Sequence, residues 1–270
     1  MALNFVFTID GDWSEYFATH LDAEERRPSL ERELPLVEAE LELAAAVGGK
    51  FVHFAHTSPL TRNFFLRPEF IALWKRVEAS GGEVGVHCHE EDLHSAWHHA
   101  DAARMAPAIS GMVKGLRAAG LSPTSYRGGF MAFGPTVIPL LEENDLPLDF
   151  SCDPDRHLVT NGALVSDWRG APSNFYRLDS ADHRRPGGSG VIEVPLGIYI
   201  EKMSLPRIWR ECRGLARRDG ETVVAVLAHT YDLASWRMRL KIRAALAICR
   251  RYGRFIGSRE VLDKAREAGI

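Results

Sequence analysis

The sequence predicts an α/β fold in which parallel strands close, or nearly close, into a barrel. Three observations carry that prediction. Strand-like apolar runs alternate with helix-periodic segments from end to end, the pattern of a parallel sheet covered by helices. The 270 residues hold roughly six to eight such units with no linker-like or low-complexity stretch, so residues 1–270 read as a single domain. Polar, titratable residues follow directly after the apolar runs, at the strand ends where such barrels carry their sites.

The elements fall in order. Residues 3–9 (LNFVFTI) are a strand, and 34–49 have helical periodicity with a stop at Gly48-Gly49. Residues 50–56 are a second strand, followed over 67–82 by a helix that starts at Pro68. A third strand covers 83–89. Residues 96–120 are helical, with a kink or break expected at Pro107. A short strand (124–128), a helix (134–144) and a strand (146–151) follow. From about 153 to 190 periodicity is weak, which predicts long loops with one or two short strands. Strand 190–196, helix 205–218, strand 222–229, helix 234–253, short strand 254–257 and a capped helix over 258–269 complete the chain.

Composition narrows the function classes. The chain is 46% hydrophobic and 26% charged, with a net charge of -3 and a pI near 6.4, which argues against a nucleic-acid partner. Cys88, Cys152, Cys212 and Cys249 are widely spaced with no C-x-x-C pair. That argues against a disulfide scaffold and a structural zinc knuckle, and fits a reducing compartment. The opening MALNFVFTIDGDW has no basic region ahead of an apolar stretch, and no window approaches roughly 18 apolar residues. The expectation is a cytoplasmic protein with no membrane span.

The strand ends carry the chemistry. The first ends in Asp10-Gly11-Asp12, the second in His56, and the third in His87 and His89, followed by Glu90, Glu91, Asp92 and His94. The fourth ends in Arg127-Gly128-Gly129, the fifth carries Asp149, Ser151 and Asp153, and a late strand ends in His229. Asp-Gly-Asp alone reads as a turn. Five or six such ends converging on one barrel mouth read as a site. Imidazoles with carboxylates point to one divalent transition metal, Zn2+ first, with Mn2+, Co2+, Ni2+ or Fe2+ as alternatives. His87 and His89 lie two apart, so in an extended strand both rings reach one side. His87 and Glu91 lie four apart, which serves equally if the chain turns helical there. One aspartate can ligate the ion while the other takes a proton, with Arg127 holding that base ionised and His229 protonating a leaving group.

Together these residues resemble the polysaccharide deacetylases, also called NodB-homology proteins or carbohydrate esterase family 4. The resemblance runs from about residue 4 to 233 and rests on five ordered motifs: TIDGDW, EVGVHCHEEDL, YRGGF, LDFSCDP and LAH. It implies a distorted (β/α)7 barrel and metal-dependent N-deacylation. Carried over by position, Asp10 resembles the catalytic base, Asp12 the metal-ligating aspartate and His87 the first metal histidine. Arg127 resembles the arginine that tethers the base, and Asp149 the aspartate that orients the catalytic histidine. Leu227 resembles the residue lining the acyl-methyl pocket, and His229 the general acid.

Two departures stand out. The usual adjacent Asp-Asp is Asp-Gly-Asp, as in the family branch that removes formyl from lipid-linked 4-formamido-arabinose. The usual second metal histidine, four after the first, is Glu91. His89, Glu91 and His94 compete for the third ligand, and strand geometry favours His89. Trp13 either packs against the sugar or caps the barrel mouth.

With no export signal, the expected substrate is a nucleotide-linked, lipid-linked or small N-acyl amino sugar rather than a cell-wall polymer. Arg207, Arg210, Arg213, Arg217 and Arg218, then Arg237, Arg239, Lys241, Arg243, Arg250 and Arg251, form a basic C-terminal region. It reads either as a solvated face or as a peripheral membrane contact. The rival functions are another metal hydrolase, such as a phosphoesterase or a non-sugar amidase, and a metal-free glycan-binding module.

Overall fold

The protein is described by a computed structural model covering residues 2–18, 20–22, 24–58, 61, 63–89, 101–160 and 162–270. The sheet strands are β1 (Ala2–Asp10), β2 (Phe51–Thr57), β3 (Glu83–Cys88), β4 (Ser125–Gly128) and β5 (Leu148–Asp149). A hairpin, β6 (His157–Thr160) and β7 (Ala163–Asp167), stands apart from the sheet. Then come β8 (Tyr176–Arg177), β9 (Ile192–Glu193), β10 (Leu196–Tyr199), β11 (Glu221–His229) and β12 (Arg254–Phe255). The helices are α1 (Leu30–Ala44), α2 (Pro68–Ala79), α3 (Ala102–Ala118), α4 (Ile138–Glu143), α5 (Leu205–Leu215), α6 (Trp236–Tyr252) and α7 (Ser258–Ala268). No helix among the described residues is long and apolar enough to cross a membrane.

The sheet order is β10-β11-β1-β2-β3-β4-β5-β9-β8, parallel from β10 to β9. Pro195 interrupts the strand expected over 190–196, because proline has no N–H for the ladder. The segment nevertheless bonds on both sides. Val194 N–H donates to the Asp149 carbonyl at 2.8 Å and Leu196 N–H to the Cys152 carbonyl at 2.7 Å, while the Pro195 carbonyl accepts from Ala225 N–H at 2.8 Å. One bent stave thus joins β5 to β11, and seven parallel staves surround the axis. This is the distorted (β/α)7 barrel.

Side-chain alternation along the strands sorts residues into two layers. Val6, Val52, Phe54, Leu148, Phe150, Val194, Ala225 and Leu227 fill the barrel interior. Phe5, Phe7, Phe51, Val84, Val86 and Ile198 face the helices with Phe70, Trp74, Ile109 and Leu246. Both faces are therefore apolar, as parallel sheets require. The helix ends behave as expected at Gly48 and Gly49, whose φ values of 71° and 77° only glycine adopts readily. Pro107 does not break α3, which runs continuously through it. The weakly periodic region holds the β6–β7 hairpin and β8. Two cysteines far apart in sequence, Cys212 and Cys249, meet between α5 and α6 with their sulfurs 3.7 Å apart.

One buried carboxyl sits badly in this core. Burial pushes Glu33 on α1 up to about 7, against the opposing effect of Arg32 and helped by Glu15 and Glu40. Its folded value exceeds its unfolded 4.5, so the folded state holds the proton more tightly and stability falls as pH rises between the two. Glu33→Gln removes that loss. Urea titrations should show the variant matching the native chain below pH 4.5 and exceeding it above pH 7, by up to about 3 kcal/mol. A constant difference across that range would refute the assignment.

Candidate metal centre and its cavity

The strand that ends in Asp10 places Val6, Thr8 and Asp10 on the interior side by alternation. The same parity puts Phe54 and His56 of β2, His87 of β3, Arg127 of β4 and Leu227 and His229 of β11 inside. Asp10, Asp12, His56, His87, His89, Arg127 and His229 are all buried. A cavity of ≈ 270 Å3 opens at this end, lined by Asp10, Asp12, His87, His89 and His229 among others. Phe17, Phe130, Tyr199 and Tyr231 form its aromatic walls, with Arg156, Glu201 and Lys202 also in its lining.

Arg127 anchors the floor. Its Nη1 donates to Asp10 Oδ1 at 2.6 Å and to Thr8 Oγ1 at 3.0 Å, and its Nε to the Phe150 carbonyl at 2.9 Å. The guanidinium lies 4.6 Å from the Phe54 ring centroid. The Arg127 carbonyl accepts from His87 Nδ1 at 3.0 Å. That fixes the His87 tautomer with its proton on Nδ1, so Nε2 offers a lone pair. The lone pair faces Asp12 Oδ2 at 3.4 Å and Asp10 Oδ2 at 4.0 Å, and Nε2 has no hydrogen-bond partner. Burial would lower the His87 ring, yet Asp10 and Asp12 raise it, so the space between Nε2 and the two carboxylates favours a cation, whether a proton or a metal ion.

His89 Nε2 lies 3.7 Å from the same Asp12 Oδ2, and one donor atom each of Asp12, His87 and His89 fall within 4.8 Å of one another. Asp10, Asp12 and His229 meet the same criterion. This donor set suits a divalent transition ion. The other oxygen of Asp12, Oδ1, is 2.9 Å from His56 Nδ1, and His56 stacks on His89 at 5.2 Å between centroids. Burial alone would raise the Asp12 carboxyl, but His87, His89 and the His56 hydrogen bond hold it well below the usual carboxylate range. Burial would lower His229, yet the Asp232 carboxylate beside its ring and the charges of Asp10 and Asp12 leave it raised.

Glycine makes this geometry possible at two points. A Cβ on Gly11 would lie 2.7 Å from the Phe54 carbonyl oxygen and 2.9 Å from His53 Nε2. A Cβ on Gly129 would lie 2.5 Å from the His89 ring. Beyond Gly129, Phe130 and Met131 hold φ of 58° and 60°, strained for residues with side chains. Phe130 thereby packs on His89 at 4.6 Å.

The fold was compared with known structures. A protein assigned as a polysaccharide deacetylase from Mycobacterium smegmatis aligns over 100% of this chain and 92% of its own, with TM-score 0.65 and 16% identity. A second, from Pseudomonas aeruginosa, aligns over 98% and 91%, with TM-score 0.62 and 12% identity. PuuE allantoinase aligns over 98% and 90%, with TM-score 0.61 and 15% identity. The chain has the polysaccharide-deacetylase fold. No sequence-family profile and no curated protein matches it by sequence.

Within this deacetylase fold, three sequence expectations need correction. Asp149 was expected to orient His229. Its neighbours Leu148 and Phe150 face the barrel interior, so Asp149 faces the other way. It accepts from Ser151 Oγ at 2.7 Å and lies opposite Glu193 in the ladder. Burial pushes both carboxyls up, and Asp149 faces Glu193 rather than His229. The carboxylates beside His229 Nδ1 are instead Glu201 at 3.7 Å and Asp232 at 3.8 Å.

Leu227 has the parity of His229 but lies one layer deeper, in the barrel-interior cluster and not among the cavity-lining residues. Trp13 is buried, donates Nε1–H to the Arg26 carbonyl at 2.7 Å and packs on Tyr16, His56 and Phe65. It backs His56 and does not line the cavity. Glu91 and His94, the alternative third ligands, lie outside the described residues.

Sequence reasoning noted His56 but gave it no partner, and it missed Asp232, Glu201 and Tyr199. It also missed a network behind the site: Glu40 of α1 meets His53 Nδ1 at 2.6 Å and accepts from Thr230 Oγ1 at 2.6 Å. A signal existed for Asp232, because it sits three residues after His229 and its carboxylate accepts from the His229 N–H as a helix cap does. For Glu40 there was none, since only folding brings α1 against that loop.

Gly11→Ala should lower stability by about 1–3 kcal/mol, because the contacted atoms are backbone and a packed ring. Gly188→Ala, where nothing lies within 4 Å, should leave it unchanged. Denaturant midpoints of the two variants check the point; equal midpoints would mean the Asp10–Asp12 loop relaxes freely.

Proposed function

We propose that the protein is a metal-dependent hydrolase that removes an N-acyl group, acetyl or formyl, from an amino sugar. The observation that carries this reading is the convergence of Asp10, Asp12, His87, His89 and His229 from three strand ends into one cavity, above a buried Arg127–Asp10 ion pair. The fold likeness adds to it. Asp12, His87 and His89 would hold one divalent transition ion, Zn2+ first and Mn2+, Co2+, Ni2+ or Fe2+ as alternatives. When bound, the ion supplies Lewis-acid polarisation of the acyl carbonyl and of the attacking water.

The chain supplies the proton transfers. Arg127 occupies Asp10 Oδ1 and leaves Oδ2 turned toward His87 and the cavity, so Asp10 is the base that takes the water's proton at Oδ2. His229, within 4.8 Å of the Asp10 carboxylate, gives its proton to the leaving nitrogen. Glu201 at 3.7 Å and Asp232 at 3.8 Å lie beside its Nδ1 and favour the charged ring. The aromatic walls suit a sugar ring, and the Arg156 and Lys202 cations suit a phosphate-bearing carrier. The lining therefore favours a nucleotide-linked, lipid-linked or small N-acyl amino sugar.

Elemental mass spectrometry of the purified chain should find about one transition metal per chain, with Asp12→Asn losing it. No metal in either protein after soaking would refute the reading. Primary-amine release from N-acetyl and N-formyl amino sugars should fall by about 10²–10⁴ in kcat for His229→Ala. Release from ureides alone would replace the sugar with a non-sugar amide.

A further inference from the structure

The outer face of α5 and α6 is built unlike the rest of the surface. Five large hydrophobic side chains are well exposed among the described residues, and three of them lie here: Trp236 at 66%, Leu240 at 54% and Trp209 at 44%. Trp236, Leu240 and Arg243 follow one another at helical spacing on the solvent side of α6, opposite the buried Ala245 and Cys249. Helix α6 carries five arginines, one lysine and no acidic residue. Helix α5 carries three arginines against one glutamate. The whole chain has net charge -3, so positive charge is concentrated on this face. Arg213 and Arg237 lie 5.5 Å from the Trp209 and Trp236 ring centroids.

Both helices start beside the cavity. Glu201 and Lys202 line it just before α5 begins, and Tyr231 lines it just before α6 begins. Lys241 of α6 closes the corner by donating to the Glu201 carbonyl at 2.8 Å.

We propose that this face docks on an anionic phospholipid membrane and sets the cavity mouth beside the lipid headgroups. Arginines among exposed indoles and an aliphatic side chain match a surface that is negative outside and apolar a few ångströms below. Charge argues against a second copy of this chain, since a two-fold contact would set the same cations against each other. Leu240 at the outermost stripe argues against nucleic acid, which gives an aliphatic side chain no apolar layer to enter. The proposal stands apart from the chemistry of the site, because vesicle binding is read without turnover.

The test is co-sedimentation of the full chain with vesicles of phosphatidylcholine alone and with phosphatidylglycerol added. Binding should require the anionic lipid and weaken with salt. Arg237→Glu with Arg243→Glu should weaken it about a hundredfold, from the charge removed and reversed. Trp236→Ala with Leu240→Ala should weaken it about tenfold with the salt dependence kept. Both pairs are exposed, and circular dichroism confirms their folding. No binding to anionic vesicles overturns the proposal, as does binding that neither double variant weakens. It is equally overturned if a mixed-sequence DNA duplex displaces the vesicles at equimolar phosphate, or if the Trp236 variant abolishes a dimer instead.

Discussion

The arrangement at the top of the barrel depends on one buried cation. Arg127 stands fully buried on the axis and reaches four places: Asp10, Thr8, the Phe150 carbonyl and the face of Phe54. Its own carbonyl orients His87. A guanidinium so deeply buried must be matched by a carboxylate, and removing one partner of such a pair typically costs about 3–5 kcal/mol. Asp10 is that partner, and the fold holds its Oδ1 against the guanidinium at 2.6 Å. The same residue that neutralises the base also fixes the tautomer of a candidate metal ligand, so the proton-accepting and ion-holding halves of the site cannot move independently.

A second layer stiffens this hub from outside the barrel. Glu40 ties Thr230, next to His229, to His53, whose Nε2 lies beneath Gly11. His53 stacks on Trp74, so helix α2 backs the network as well. Asp149 and Glu193 form a separate carboxyl pair on the far side of β5 and β9. Burial pushes both carboxyls above the usual carboxylate range. The aromatic walls of the cavity come from Tyr199 at the end of β10, from Phe17 and Tyr231, and from the strained Phe130 turn.

The strand-and-helix order, the parallel sheet and the strand-end positions of Asp10, Asp12, His87, Arg127 and His229 were legible in the sequence. Each follows from local chemistry: apolar runs form strands, and the first polar residue after a run sits at its end. His89, favoured as the third ligand because residues two apart in extended chain share a side, does lie near Asp12 and His87, with its Nε2 3.7 Å from Asp12 Oδ2. The same rule, applied to β5, would have warned that Asp149 faces away from Phe150 and hence from the interior.

What the sequence determined by itself was therefore periodic and local: fold class, strand ends and the side on which each end residue emerges. Only the tertiary structure decided depth and partnership. Leu227 and His229 share a side, yet one packs the core and the other lines the cavity, because depth depends on the stagger between strands. Trp13 reads as a sugar contact or a cap on the barrel mouth and is buried, because Tyr16, His56 and Phe65 pack round it and the Arg26 carbonyl takes its N–H. Glu201 stands beside His229 where Asp149 was expected, and Cys212 meets Cys249, because such pairs form across segments whose separation in sequence carries no information about their distance in space.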